Sequence, residues 1–143
     1  MAGEGDAVSL RSVRFAVAGK PEPKGSSRAV KSRSTGRPVL LMGSDKASAR
    51  RLKSWATAVG WAARAAWTGP AIAGPVYLSA HFVVPGKATR PPDLDKLQRT
   101  VLDALTGIVY VDDAQVVSVE ASKDSTDDRR GKIGVTIEIG WDA

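Results

Sequence analysis

Acidic side chains gather in two short stretches of a chain whose formal net charge is +6. Asp93 and Asp95 follow Pro91-Pro92 and precede Lys96-Leu97-Gln98-Arg99. Asp103-Ala104-Leu105 comes next, and Asp112-Asp113-Ala114-Gln115-Val116 follows Tyr110. Carboxylates concentrated in a basic protein point to a bound cation. Oxygen donors suit a hard ion such as Mg2+, which keeps several waters and is commonly held by one or two carboxylates plus a substrate phosphate. Cys is absent and His81 is the single histidine, so zinc chemistry is disfavoured. His81 itself lies inside a strand pattern, where a hydrogen-bonded structural histidine is commoner than a general base.

The elements around these residues decide whether they can meet. Pro91 and Pro92 hold the chain extended, and Asp93 is a good N-cap for a helix in which Leu94, Leu97, Val101 and Leu105 share one face, with Gly107 as its stop. Asp93 and Asp95 then stand near free backbone N–H groups at the positive end of the helix dipole. The same position offers a purely structural alternative, in which Asp93 is a cap and Asp95 a first-turn acid. Arg99 comes four residues after Asp95 and projects from the same side. If the strand containing Val116 pairs beside the strand ending near Val84, Asp112 or Asp113 approaches Asp93 and Asp95, and three carboxylates share one cation.

Residues 1 to 10 read as a mobile tail and residues 11 to 143 as one domain. Val13, Phe15 and Val17 alternate as a short strand ending at Gly19. Residues 20 to 38 carry Lys20, Lys24, Arg28, Lys31, Arg33 and Arg37 among Pro, Ser and Gly. This is either a phosphate-contacting arm, folded back as a hairpin around Ser34-Thr35-Gly36, or a solvated surface segment. Ser44-Asp45 caps a helix over 45–67 with an acidic first turn, in which Leu52, Trp55, Val59 and Ala63 keep helical spacing. Its Ala-rich packing assigns Trp55, Trp61 and Trp67 to core or helix cover rather than to base stacking; Trp61 and Trp67 are also the apolar candidates for a dimer surface. Val76, Leu78, Ala80, Phe82 and Val84 form the clearest strand. The alternations at Val117, Val119 and Ala121 and at Ile133, Val135, Ile137 and Ile139 predict an antiparallel hairpin across Asp124 to Gly131.

The ordered string Asp-x-Asp, a basic residue four positions on, Asp-Ala-Leu and Asp-Asp-x-Gln-Val, over residues 90 to 123, resembles the RusA family of Holliday-junction resolvases. Ala18-Gly19-Lys20-Pro21-Glu22-Pro23-Lys24-Gly25 is similar to a Pro- and Lys-containing segment of that family. The resemblance implies an α+β single domain, a mixed β-sheet with about two main helices packed on it. It implies metal-binding, catalytic carboxylates at Asp93, Asp95 and Asp113 and an essential basic residue at Arg99, where relatives often have Lys. Lys96 stands where many relatives have Asn and adds a positive charge beside the expected metal. Asp103 is assigned to structure, bonded to a basic neighbour, and Gln115 and Lys123 fit the pattern without a fixed role. The implied activity is Mg2+-dependent hydrolysis of four-way DNA, with Mn2+ as a substitute, by a twofold homodimer.

Bulk properties agree. One domain fits 143 residues. A sequence pI near 9.9 favours a polyanionic partner, and Lys20, Lys24, Arg28, Lys96 and Lys123 are the candidate DNA contacts. The first residues lack a signal-peptide pattern and no apolar run approaches a bilayer span, so a soluble, cytoplasmic protein with no membrane partner and no small-molecule cofactor is expected. Two other classes stay open: a non-catalytic nucleic-acid-binding module, and a metal-dependent nucleotide phosphohydrolase, which would have little use for the basic arm.

Overall fold

The computed structural model describes residues 10–25, 27–31, 38–42, 46–86, 91–127 and 132–142, those of 27–31 and 38–42 by their backbone. Along the chain run β1 (Leu10–Ala18), β2 (Ser27–Lys31), β3 (Pro38–Met42), α1 (Lys46–Ala66), β4 (Val76–Pro85), α2 (Leu94–Leu105), a 3₁₀ turn at Asp113–Gln115, β5 (Val116–Thr126) and β6 (Gly134–Asp142). Four strands form one mixed sheet in the order β1-β6-β4-β5, while β2 and β3 pair antiparallel as a separate ribbon. The α+β class, the mixed sheet and the two helices agree with the sequence reading.

Alternation along the strands separates two faces. Val76, Leu78, Ala80, Phe82 and Val84 of β4 point one way and are buried, as are Val135, Ile137 and Ile139 of β6. Both helices cover this face. Trp55, Val59 and Ala63 of α1 and Leu97, Val101 and Leu105 of α2 complete the core at helical spacing. The other sheet face carries Ser79 and His81, with Thr136 and Glu138 opposite them on β6. His81 is bonded there through Nδ1 to Ser122 Oγ at 2.6 Å and lies 3.3 Å from Asp124 through Nε2. It is the hydrogen-bonded surface histidine that its strand position favoured, on the sheet face away from the helices.

Three expectations need correction. The predicted hairpin between the last two strands does not form: β5 pairs parallel to β4, and β6 pairs antiparallel to β4 and to β1. Alternation marks which face a residue occupies and not which strand lies beside it. The largely buried β6 takes a central place and the mostly exposed β5 an edge. Leu10, counted in the tail, is the first residue of β1; residues 1–9 lie outside the described residues. The first turn of α1 contains no acid, and its proposed cap at Ser44 and Asp45 also lies outside the described residues. The hairpin expected within the basic segment is present as β2–β3, although its turn at 32–37 is likewise outside them.

At the start of β6, Gly134 has φ +150° and packs against the Val17 carbonyl oxygen and the backbone of Ala18. A side chain there would meet backbone, which cannot move aside as a rotamer would. Gly134→Ala should therefore lower stability by about 2–4 kcal/mol. Urea unfolding followed by circular dichroism measures it, and an unchanged midpoint would show that the β1–β6 edge tolerates the displacement.

Candidate active site

The unit β4-α2-β5 positions the acidic motif. Because β5 is parallel to β4, α2 runs back between them and its two ends lie at opposite ends of the strand pair. Asp93 occupies the N-cap position in extended conformation (φ −69°, ψ 135°), yet its side chain makes no capping hydrogen bond. Its carboxylate is exposed and stands 3.8 Å from Lys96 Nζ. Asp95, in the first turn, is exposed and has no hydrogen bond or ion pair among the described residues. Neither carboxylate is spent on the helix, which removes the ground for reading Asp93 as only a cap.

Around this end of α2 the chain builds a cleft of about 540 Å³, lined by Lys20, Glu22, Asp93 and Lys96 and walled by Pro21, Pro23, Pro85, Pro91 and Pro92. Proline fixes φ, so these walls are stiff. Lys123, on the β5 edge, donates from Nζ to the Pro92 carbonyl at 2.8 Å and ties the approach to the helix. Lys20, Lys96 and Lys123 thus all stand by Asp93. The segment after β1 is held against α2: the Lys24 N–H donates to the Lys96 carbonyl at 3.1 Å, and Pro21 is fully buried. Glu22, not assigned a role from sequence, faces Arg51 at 3.8 Å. Its signal was its place inside the Lys-Pro-Glu-Pro-Lys segment, where the lysines alone drew a functional reading.

The second acidic pair lies elsewhere. The register aligns Val76 with Val116, so the start of β5 neighbours the start of β4, whereas α2 begins beyond the end of β4. The expectation that Asp112 or Asp113 would join Asp93 and Asp95 is not met. The pairing of β5 with β4 on which that expectation depended is present, but its parallel direction puts the acids at the other end. Among the described residues no three His, Cys, Asp or Glu side chains stand together as a metal-holding group.

Asp113 instead feels Asp112, Asp103 and Arg99. Asp112 caps the 3₁₀ turn, accepting from the Ala114 N–H at 3.0 Å. That bond, then the one to Asp113, holds its carboxyl below the usual carboxylate range. The same bond to Asp112, then desolvation and the negative charges of Asp112 and Asp103, raises Asp113, and Arg99 opposes the rise. Gln115 fixes this loop: its Oε1 accepts from the N–H groups of Val111 and Asp112, both at 2.8 Å, and its Nε2 donates to the carbonyls of Ile72 at 2.7 Å and Gly74 at 2.8 Å. Its role is structural. Asp103 receives Lys24 Nζ at 2.5 Å, which bears out its assignment to a basic partner and means that Lys24 is already engaged. Arg99 is exposed. Arg28 lies on the β2 backbone, its side chain outside the described residues.

The residues present fit a hard divalent cation at the N-terminal end of α2, where Asp93 and Asp95 keep oxygen lone pairs for it and lysines for a phosphate stand beside Asp93. They do not fit a cation shared with Asp113 in this arrangement. A mixed sheet backed by two helices, with an exposed acidic helix start ringed by lysines, defines an α+β protein equipped for phosphates. The family model of endodeoxyribonuclease RusA matches residues 19–138, so the chain belongs to the RusA family. These are endodeoxyribonucleases that resolve Holliday junctions in DNA recombination, act on branched DNA and are generally divalent-metal dependent. The chain is therefore an endonuclease of that class. No curated protein matches it. Among the described residues no helix is long and apolar enough to cross a membrane.

The Asp112–Asp113 pair yields a titration prediction. As pH falls, Asp113 should take its proton first, above the ordinary carboxylate range, and Asp112 last, below it. Asp112→Asn removes the negative neighbour and should return Asp113 towards the ordinary value. Carbon-detected NMR of the side-chain carboxyls measures both; an Asp113 midpoint that ignores the substitution would mean the two do not interact.

Proposed function

We propose that the chain cuts four-way DNA junctions with a divalent cation, Mg2+ or Mn2+, held by Asp93 and Asp95, and with Arg99 acting on the scissile phosphate. The single observation that carries this reading is the exposed, uncapped Asp93 at the mouth of a lysine-bearing cleft, with Asp95 also exposed in the first turn of the helix it opens. The bound ion would supply a water acidic enough to attack at neutral pH and charge neutralisation on the phosphate. The protein's own groups do the rest. Lys20, Lys96 and Lys123 hold phosphates around the site. Arg99, one turn beyond Asp95, presents a forked donor set to the phosphate as its negative charge redistributes. Asp113 balances Arg99 electrostatically and so acts through it as a positioning residue. Lys24 serves DNA by exchanging Asp103 for a phosphate, and Arg28 supplies a contact from the β2–β3 ribbon. Two cuts on opposed strands of a twofold substrate call for two sites, so a homodimer is the proposed working state. A soluble, cytoplasmic enzyme without a small-molecule cofactor completes the reading.

The test is a labelled four-way junction, with Mg2+ or chelator, assayed for binding and for nicking. Asp93→Asn and Asp95→Asn should bind the junction at least as well as the parent, since carboxylates repel phosphates. They should nick at least ~100-fold more slowly, and residual cutting should demand more Mg2+. Arg99→Ala and Asp113→Asn should slow nicking without moving the Mg2+ concentration at half-maximal rate. Asp103→Asn, which loses an exposed ion pair worth ~1 kcal/mol or less, should cut normally. Undiminished nicking by Asp93→Asn and Asp95→Asn overturns the site. If Asp113→Asn shifts the Mg2+ requirement as they do, the three carboxylates share one ion when DNA is bound.

A further inference from the structure

Helix α1 contains Lys46, Arg50, Arg51, Lys53 and Arg64 and no acid over 21 residues. Between Pro23 and Pro92 the chain carries twelve Lys and Arg and one acid, Asp45. On this helix Trp61 is 69% exposed, unlike Trp55, which is buried, and Trp67, which packs edge-on against Trp141 at 4.9 Å and donates to the Pro70 carbonyl at 3.0 Å. The expectation that Trp61 is core or helix cover is thus overturned, while Trp67 is partly buried against the core. Lys53, Thr57, Trp61 and Arg64 follow one another at intervals of four, four and three, so they form one stripe. They line a groove of about 400 Å³ whose far wall includes Ala104 and Ile108, the end of α2 and the turn after it. Neither Lys53 nor Arg64 has an ion-pair partner among the described residues.

We infer that this stripe is a second DNA-contact surface, on which Trp61 stacks an unpaired base of branched DNA while Lys53 and Arg64 hold the flanking phosphates. The inference rests on the junction-nuclease reading for its substrate. An indole face accepts any base, and cations on both sides match a strand with phosphates on both sides of that base. A second protein copy fits less well, because two such acid-free stripes would repel. Bases within a duplex hide their faces in the stack and cost energy to extrude, whereas a pair at a branch point lacks a continuous stack on one side and opens more cheaply. The surface therefore distinguishes branched from linear DNA without reading sequence.

The experiment compares wild type, Trp61→Ala, Trp61→Phe, Lys53→Ala and Arg64→Ala for binding a four-way junction and a blunt duplex over a salt series, with Ca2+ in place of Mg2+ to prevent cutting. Because Trp61 is exposed, all variants should keep the parent circular dichroism and melting temperature. Trp61→Ala should weaken junction binding by roughly 5- to 100-fold, the range of one lost base stack, and change duplex binding by less than about twofold. Trp61→Phe should recover part of the loss. Each lysine or arginine variant should lower the salt slope by about 0.7–0.9. Junction binding unchanged in Trp61→Ala, or equal loss on duplex and junction, overturns the inference, as does a change of sedimenting species in Trp61→Ala, which would make the stripe a contact between copies. A wild type with no preference for the junction counts against the nuclease reading instead; a preference that Trp61→Ala retains counts against this surface alone.

Discussion

The parallel pairing of β4 with β5 determines where charged groups can stand. A parallel neighbour requires a crossover, the crossover is α2, and twelve helical residues span about 18 Å. Groups at the two ends of α2 consequently belong to separate neighbourhoods. Asp93 sits at one end with Lys20, Lys96 and Lys123; Asp103, Asp112, Asp113 and Lys24 sit towards the other. Arg99 lies between them along the helix. A motif that looks like one cluster when read along the chain is, in the folded protein, a line of charges along the exposed face of α2 and the loop after it.

That line belongs to a wider segregation of charge. Cations dominate from Pro23 to Pro92, and α1, within that stretch, has no acid. Five of the fifteen carboxylates lie at the start of α2, on it and in the loop after it, and cations answer two of them: Lys96 answers Asp93 and Lys24 answers Asp103. Both pairs are substantially exposed, and exposed pairs contribute little to stability. Such lysines can leave a carboxylate for a phosphate at small cost. In the proposed function they pair with the acids while DNA is absent and turn to phosphates when it arrives.

Much of this was legible in the sequence because the fold's main elements are strongly periodic. The core alternation of β4, the apolar stripe of α2 from Leu94 to Leu105 and its end before Gly107 all stand where spacing put them. What failed was pairing. The spacing of Val117–Ala121 and Ile133–Ile139 marks faces, and faces alone do not tell an antiparallel hairpin from two strands flanking a third. Asp113 was misplaced for the same reason, since its partner strand was identified without its direction. Gln115 was recognised without a role, because two of its four hydrogen bonds reach Ile72 and Gly74, in a loop that only the fold brings beside it. Trp61 was misjudged because an Ala-rich helix gives little contrast between its faces, and an apolar residue on it reads as buried by default.

The exposure of the site has a mechanistic consequence. A DNA strand cannot enter an enclosed pocket, so the side chains proposed for catalysis must lie open, and Asp93, Asp95 and Arg99 do. Charges in water interact weakly: at 4 Å the attraction is ~1 kcal/mol, against ~4 kcal/mol at the effective dielectric of a protein surface. Arg99 alone is thus a poor stabiliser before substrate arrives. Its strength must come from the DNA itself, which displaces water as it settles along α2, and from the stiff proline walls that keep the helix start in place meanwhile. In the proposed mechanism selectivity and rate are then two readings of one event, because only a strand seated well enough to dry the surface would turn Arg99 into an effective catalyst.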